Sequence, residues 1–128
     1  MRAVLYHLAA RSSFAEGGMI EFAVSMPGSV NGLFRNVPGV GRVKTTKYRA
    51  WQNENLWLLK TLRLPSFDGP VRVDYSLPAK SRMDIDNPLK GLNDLLQASG
   101  ILANDRQIRQ LWVEHEDRTD VLVKVRPI

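Results

Sequence analysis

Between Val71 and Gly100 the chain changes its hydrophobic period once, and that change limits the folds open to it. Val71, Val73, Tyr75 and Leu77 alternate with Arg72, Asp74 and Ser76, the two-residue period of a strand with one buried face. Leu89, Leu92, Leu95 and Leu96 then follow helical spacing, with Lys90, Asp94 and Gln97 on the opposite face. Asn87-Pro88 offers a cap and a first-turn proline, and Gly100 stands where a helix stops. A one-sided strand and a one-sided helix must bury their apolar faces in a common core.

The rest of the chain supplies the partners. Met19 opens a strand over 20–26, in which apolar residues alternate with polar or small ones. Thr45 or Thr46 caps a helix running to about Leu62, with Tyr48, Trp51, Leu58, Leu59 and Leu62 as its apolar stripe. Pro65 and Gly69-Pro70 break the chain. After Asn104-Asp105, strands are expected over about 107–115 and 121–126, joined as a hairpin by the turn Asp117-Arg118-Thr119-Asp120. The expected order is β-α-β-α-β-β. It describes a single α+β domain (mixed α/β) with a four-stranded mixed sheet covered by two helices.

A chain of 128 residues with 44% hydrophobic residues can bury a core of that size, which excludes general disorder. No cysteine is present, so disulfide scaffolds, thiolate zinc sites, iron–sulfur clusters and thiol nucleophiles are excluded. No apolar run approaches the ~20 residues of a membrane helix. Residues 1–18 read as an N-terminal extension. Val4, Leu5, Leu8 and Ala9 have helical spacing, and residues 1–14 carry two Arg, two Ser and no acid, loosely like an organellar transit peptide. Met19 is then a second candidate start, and 19–128 the domain.

Charge is unevenly distributed. Arg35, Arg42, Lys44, Lys47, Arg49, Lys60 and Arg63 face one acid, Glu54, so 35–63 carries +6 where the whole chain carries +5. Phe34, Tyr48, Trp51 and Trp57 are interleaved with these charges. Such a segment can track a phosphate backbone. We read Trp51 and Trp57 as the buried face of the helix. Arg42, Lys44 and Lys47, in or beside the glycine-rich stretch 36–41, are candidate DNA contacts. Gly39-Val40-Gly41 is no dinucleotide loop, because the third glycine position is Lys44 and no buried strand leads into it.

The chemistry-bearing stretch is Asp84-Ile85-Asp86-Asn87-Pro88-Leu89-Lys90, followed after one helix by Asn104-Asp105. On an extended chain Asp84 and Asp86 point to the same side. Paired carboxylates repel unless a cation lies between them, and hard oxygen ligands suit magnesium or manganese. Lys90, about one helical turn in, can hold a phosphate or stabilise developing charge. An EF-hand starting at Asp84 fails, since Pro88, Leu89 and Leu95 occupy its required ligand and glycine positions. Capping alone accounts for Asn87 and for Asp86, but not for Asp84, Lys90 and Asp105 together.

These residues, with Leu95-Leu96 and Asn104-Asp105-Arg106-Gln107-Ile108, resemble the signature of the RusA family of Holliday-junction resolvases. Met19-Ile20-Glu21-Phe22 and Pro27-Gly28-Ser29-Val30-Asn31 match the family's opening in style. The resemblance runs from about Met19 to the C-terminus. It implies a homodimeric, magnesium-dependent endonuclease, cytoplasmic and bacterial or phage-encoded, that nicks four-way DNA junctions in pairs. It also implies that Asp84, Asp86 and Asp105 are catalytic metal-binding carboxylates and Lys90 the essential lysine. Many relatives have an acidic pair where this chain has Asn104-Asp105, so the catalytic role is carried to Asp105, two residues before Gln107. The helix carries the chain ~18 Å from its start, and 100–105, fully extended, returns at most ~20 Å. Asp105 therefore meets the other two acids only if that link runs back nearly straight; otherwise the partner subunit supplies the third carboxylate.

Arg82, just before the carboxylates, either touches phosphate or balances their charge. His115 has only His7 as a possible fellow imidazole, so a histidine metal site is not expected. Ser29, Ser81 and Ser99 read as turn residues rather than nucleophiles. Two other functions compete with the nuclease: a non-catalytic junction-binding module of the same fold, and a metal-dependent phosphohydrolase acting on nucleotides.

Overall fold

The computed structural model describes residues 18–28 and 30–128. The helix expected within 1–14, and Ser29, lie outside the described residues. The two periods read from 71–100 become β4 (Val71–Pro78) and α2 (Leu89–Ala98). Before them come β1 (Ile20–Val24), a single helical turn (Val30–Leu33), β2 (Phe34–Val37), β3 (Gly41–Lys44) and α1 (Thr46–Leu62). After them come a 3₁₀ turn (Asp105–Gln107), β5 (Ile108–Glu116) and β6 (Val121–Pro127). The main sheet has the order β1-β6-β4-β5 and a small second sheet pairs β2 with β3, so the expected mixed four-stranded α+β architecture is present.

One face of the main sheet forms the core. Ile20, Phe22, Val24, Val71, Val73, Tyr75, Leu77, Val121, Val123 and Val125 pack under Leu92, Leu95 and Leu96 of α2 and Leu59 of α1. The opposite face is polar. There Arg72 pairs with Asp74 at 2.7 Å and Lys124 with Glu21 at 3.8 Å, while the Arg72 guanidinium lies 5.4 Å from the Trp112 ring centroid. No helix among the described residues is long and apolar enough to cross a membrane.

The structure corrects the sequence reading in four places. First, β5 and β6 are not a hairpin: β4 lies between them, antiparallel to β6 and parallel to β5. Six of the eight β4 residues are buried, and its backbone groups take partners along both edges. Residues 117–120 need only step across two strand spacings, ~10 Å, which four residues can span. Second, 36–41 is the tip of a β2–β3 hairpin rather than a loop, with the turn itself at 38–40 and Gly39 and Gly41 at φ 77° and 100°.

Third, α1 begins as expected, with the Thr45 hydroxyl accepting from the Tyr48 N–H, but it buries Gln52 and Asn55 beside Tyr48 and Leu59. Asn55 is satisfied by Ser25 and the Trp51 carbonyl, and the Trp51 indole donates to the Ser25 carbonyl at 3.0 Å. These bonds let polar residues occupy an interior stripe. Trp51 packs against the core as expected, whereas Trp57 is 71% exposed. Fourth, Asn87 does not cap α2. Pro88 holds that position in helical geometry with no side-chain cap bond, because 84–88 already winds in consecutive turns.

Candidate functional site

Asp84 and Asp86 do not lie on an extended chain. The Asn87 N–H donates to the Asp84 carbonyl at 3.0 Å and the Leu89 N–H to the Asp86 carbonyl at 3.1 Å, so the acids stand on overlapping turns at the mouth of α2. Both are exposed. Neither has an ion-pair or side-chain hydrogen-bond partner among the described residues. The positive end of the helix dipole favours them there. Arg82, also exposed, precedes them without a carboxylate partner among the described residues. Gly91, one residue after Lys90, is buried against Pro27: a Cβ there would lie 3.2 Å from that of Pro27, so the first turn of α2 seats closely on the segment after β1.

Lys90 donates to Asp94 Oδ1 at 3.1 Å, and the Tyr48 hydroxyl donates to Asp94 Oδ2 at 3.2 Å. Asp94 thus joins α2 to α1. Burial, then the Asp94 charge, then the hydrogen bond to it push the Tyr48 hydroxyl far above its ordinary pKa. Burial, with Asp94 contributing, does the same for Tyr75, whose hydroxyl donates to Asn93 at 2.7 Å. Both phenols are therefore neutral donors at physiological pH.

Asp105 sits elsewhere. Its N–H donates to Gln97 Oε1 at 3.3 Å, on the last turns of α2 and ~10 Å along the axis from Lys90. The link after α2 does not run straight back: Gly100, at φ 81°, and Leu102 fold onto the Gln97 and Leu96 carbonyls. Among the described residues no three His, Asp or Glu side chains gather closely enough to hold a metal ion, so Asp84, Asp86 and Asp105 do not form one three-carboxylate cluster within the chain. His115 joins no such group either.

Sequence reasoning left Asn104 as a departure from an acidic pair and gave Gln107 no role; the structure gives both a task. The Asn104 side chain accepts from the Arg106 N–H at 2.8 Å and caps the 3₁₀ turn. Gln107 Oε1 accepts from the Ala103 and Asn104 N–H groups, while its amide donates to the Phe67 and Gly69 carbonyls at 2.7 and 2.9 Å. Asn caps as well as Asp, so the change at 104 preserves the turn that carries Asp105. The offsets of Asn104 and Gln107 form a capping box, a signal legible in the sequence. Ser81 and Ser99 make local turn bonds, as expected.

The basic candidates divide. Arg42 stacks over Phe34, 4.2 Å from its centroid, and Lys47 is exposed on the first turn of α1. Lys44 instead turns inward: its ammonium donates to Gln52 Oε1 at 2.9 Å and lies 5.5 Å from the Tyr48 centroid. Lys44, Gln52, Asp94, Gln97 and Ala98 line an open cleft of about 290 Å³. A second cleft of about 350 Å³, with Arg106 and Arg109 in its wall, flanks the Asp105 turn.

The chemistry of the donors at the Asp84–Asp86 turn is of the kind a magnesium-type ion takes, although no third acid joins them among the described residues. Two exposed carboxylates on adjacent turns, without a partner among the described residues, are oxygen ligands of the right kind, and such ions complete their shell with water and substrate phosphate. A catalogued relative from Aquifex aeolicus (strain VF5), named crossover junction endodeoxyribonuclease RusA, is 29% identical over 97 residues, 70% of this chain and 77% of its own length. The family described as endodeoxyribonuclease RusA matches residues 25–126, a span holding the Asp84–Asp86 turn, Lys90, Asp105 and the basic hairpin. The chain belongs to the RusA family of endodeoxyribonucleases.

Proposed function

We propose that this chain is a structure-selective endodeoxyribonuclease that resolves Holliday junctions by paired nicks, using magnesium or manganese and working as a homodimer. The observation that carries this reading is the pair of carboxylates, Asp84 and Asp86, unpartnered among the described residues and four to six positions before Lys90, within a RusA match covering most of the chain. Asp84 and Asp86 hold the ion, and the third carboxylate is an Asp105 that the free chain does not bring to them. Asp105 of the partner subunit is the alternative source, because the chain's own Asp105 stands at the far end of α2. When bound, the ion supplies an activated water and stabilises the leaving oxygen. Lys90 neutralises charge on the scissile phosphate. Arg42 and Lys47 grip the flanking backbone, with Arg82 beside the acids, and Lys44 sets the hairpin against α1. A two-fold dimer presents two such sites to the two strands of a symmetric junction.

A second reading is favoured by one observation, the absence of a three-carboxylate cluster among the described residues. On that reading the chain binds junctions without cutting them. Incubation with a synthetic four-way junction and magnesium, beside duplex and nucleotide controls, separates the two. Paired nicks in the junction alone support the resolvase, and binding without nicks supports the module. Light scattering that finds only monomer at working concentration counts against paired nicking.

A further inference from the structure

We propose that Asp94 is a positioning residue that holds the Lys90 ammonium in place, and that it is itself held by Tyr48 of α1. This deepens the preceding reading and rests on it for the role of Lys90. A lysine carries a long flexible stem, and an ammonium that must meet one phosphate oxygen gains from being fixed beforehand. Asp94 is built for that. Each carboxylate oxygen has its own donor, Oδ1 the Lys90 ammonium at 3.1 Å and Oδ2 the Tyr48 hydroxyl at 3.2 Å. Tyr48 cannot swing away: it is 2% exposed, stacks on Trp51 at 6.1 Å and meets Phe34 edge-on at 5.5 Å.

Helix stability does not explain the pair. A cation four residues before an anion is the less favourable order along a helix, and half of the Lys90 side chain remains in solvent. The contacts also run on towards the DNA-facing hairpin. Lys44 of β3 lies over the Tyr48 ring, so Lys44, Tyr48, Asp94 and Lys90 form a continuous path from the basic hairpin to the first turn of α2.

The test compares Asp94→Asn, Tyr48→Phe, Lys90→Ala and the double variant Asp94→Asn/Lys90→Ala in junction cleavage, with kcat and KM separated. Asp94→Asn is expected to lower kcat ~10- to 100-fold, as misplacement of a catalytic group does, with KM and the magnesium requirement unchanged. Tyr48→Phe should lower kcat in the same direction by a smaller factor. The double variant should be no slower than Lys90→Ala, because the two act as one unit. Multiplying losses in the double variant, or an unchanged kcat in Asp94→Asn, would overturn the proposal. So would a raised magnesium requirement in Asp94→Asn, which would make Asp94 a ligand. NMR of the Lys90 ε-methylene in the DNA-free, metal-free protein reads the hold directly. Greater mobility in Asp94→Asn than in wild type is expected, and equal mobility overturns the proposal. If the wild-type chain cuts nothing, the resolvase reading fails while this measurement still decides whether Asp94 holds Lys90.

Discussion

The two ends of α2 have opposite constructions. At its N-terminal end Pro88 caps without a side-chain bond, and Asp84 and Asp86 stand exposed with no partner among the described residues. At its C-terminal end the amide side chains are tied down: Gln97 receives the Asp105 N–H, Asn104 caps its turn, and the Gln107 side chain makes four hydrogen bonds. Exposed charges at a helix end add little to folding through the dipole, about 0.3–1 kcal/mol, so their removal should cost little stability. In the 104–107 turn the Asn104 and Gln107 side chains are bound so fully that they report mainly on stability, whereas the Asp105 side chain is exposed. One end leaves its carboxylates open and the other ties its turn to the body of the protein.

Substitutions at the two ends should therefore separate activity from stability. The largest effect is expected from Asp86→Asn, which should reduce junction cleavage roughly 10²-fold or more, while thermal unfolding shifts by less than about 0.5 kcal/mol because no side-chain bond is lost. Near-normal cutting would remove the distinction between the ends. Gln107→Ala should do the reverse. Losing a clamp of four partly exposed hydrogen bonds is expected to cost about 2–3 kcal/mol in urea unfolding, with a smaller loss of cleavage than Asp86→Asn. Asn104→Ala should cost about 1 kcal/mol and Asn104→Asp only a few tenths. A large gain of cleavage in Asn104→Asp would instead make position 104 part of the chemistry. Outside both ends, Arg42→Ala and Lys47→Ala should each flatten the salt dependence of junction binding by about one unit of slope. Lys44→Ala should flatten it less, because its ammonium is already engaged by Gln52.

Much of the fold is legible locally. The alternation over 71–77 and the leucine spacing of 89–96 each identify a one-sided element, and the structure buries those same residues. The sequence misplaces the pairing of β5 and β6, since nothing in residues 117–120 distinguishes a tight turn from a step across an intervening strand. It misreads Trp57, and leaves Asn55 out of the buried stripe, for a related reason. Helical spacing gives candidate faces, but the partners Ser25 and Trp51 decide that an asparagine goes inside while a tryptophan stays out.

Within the candidate site, residue chemistry separates from residue geometry. Sequence alone selects Asp84, Asp86, Lys90 and Asp105, because their types and offsets carry the family signature, and the family match spans them. It also places Lys90, Asp94 and Gln97 on one helix face, since 3.6 residues per turn permits no other arrangement. Only the tertiary structure decides what that face meets. Packing of α1 across α2 brings the Tyr48 hydroxyl to Asp94, and the link through Gly100 holds Asp105 at the far end of the helix instead of returning it to the other acids. The physical reason is the range of the interactions. Periodicity, capping and turn chemistry act within a few residues, whereas contacts such as Tyr48–Asp94 close over 46 positions and are fixed only when the shared core is buried.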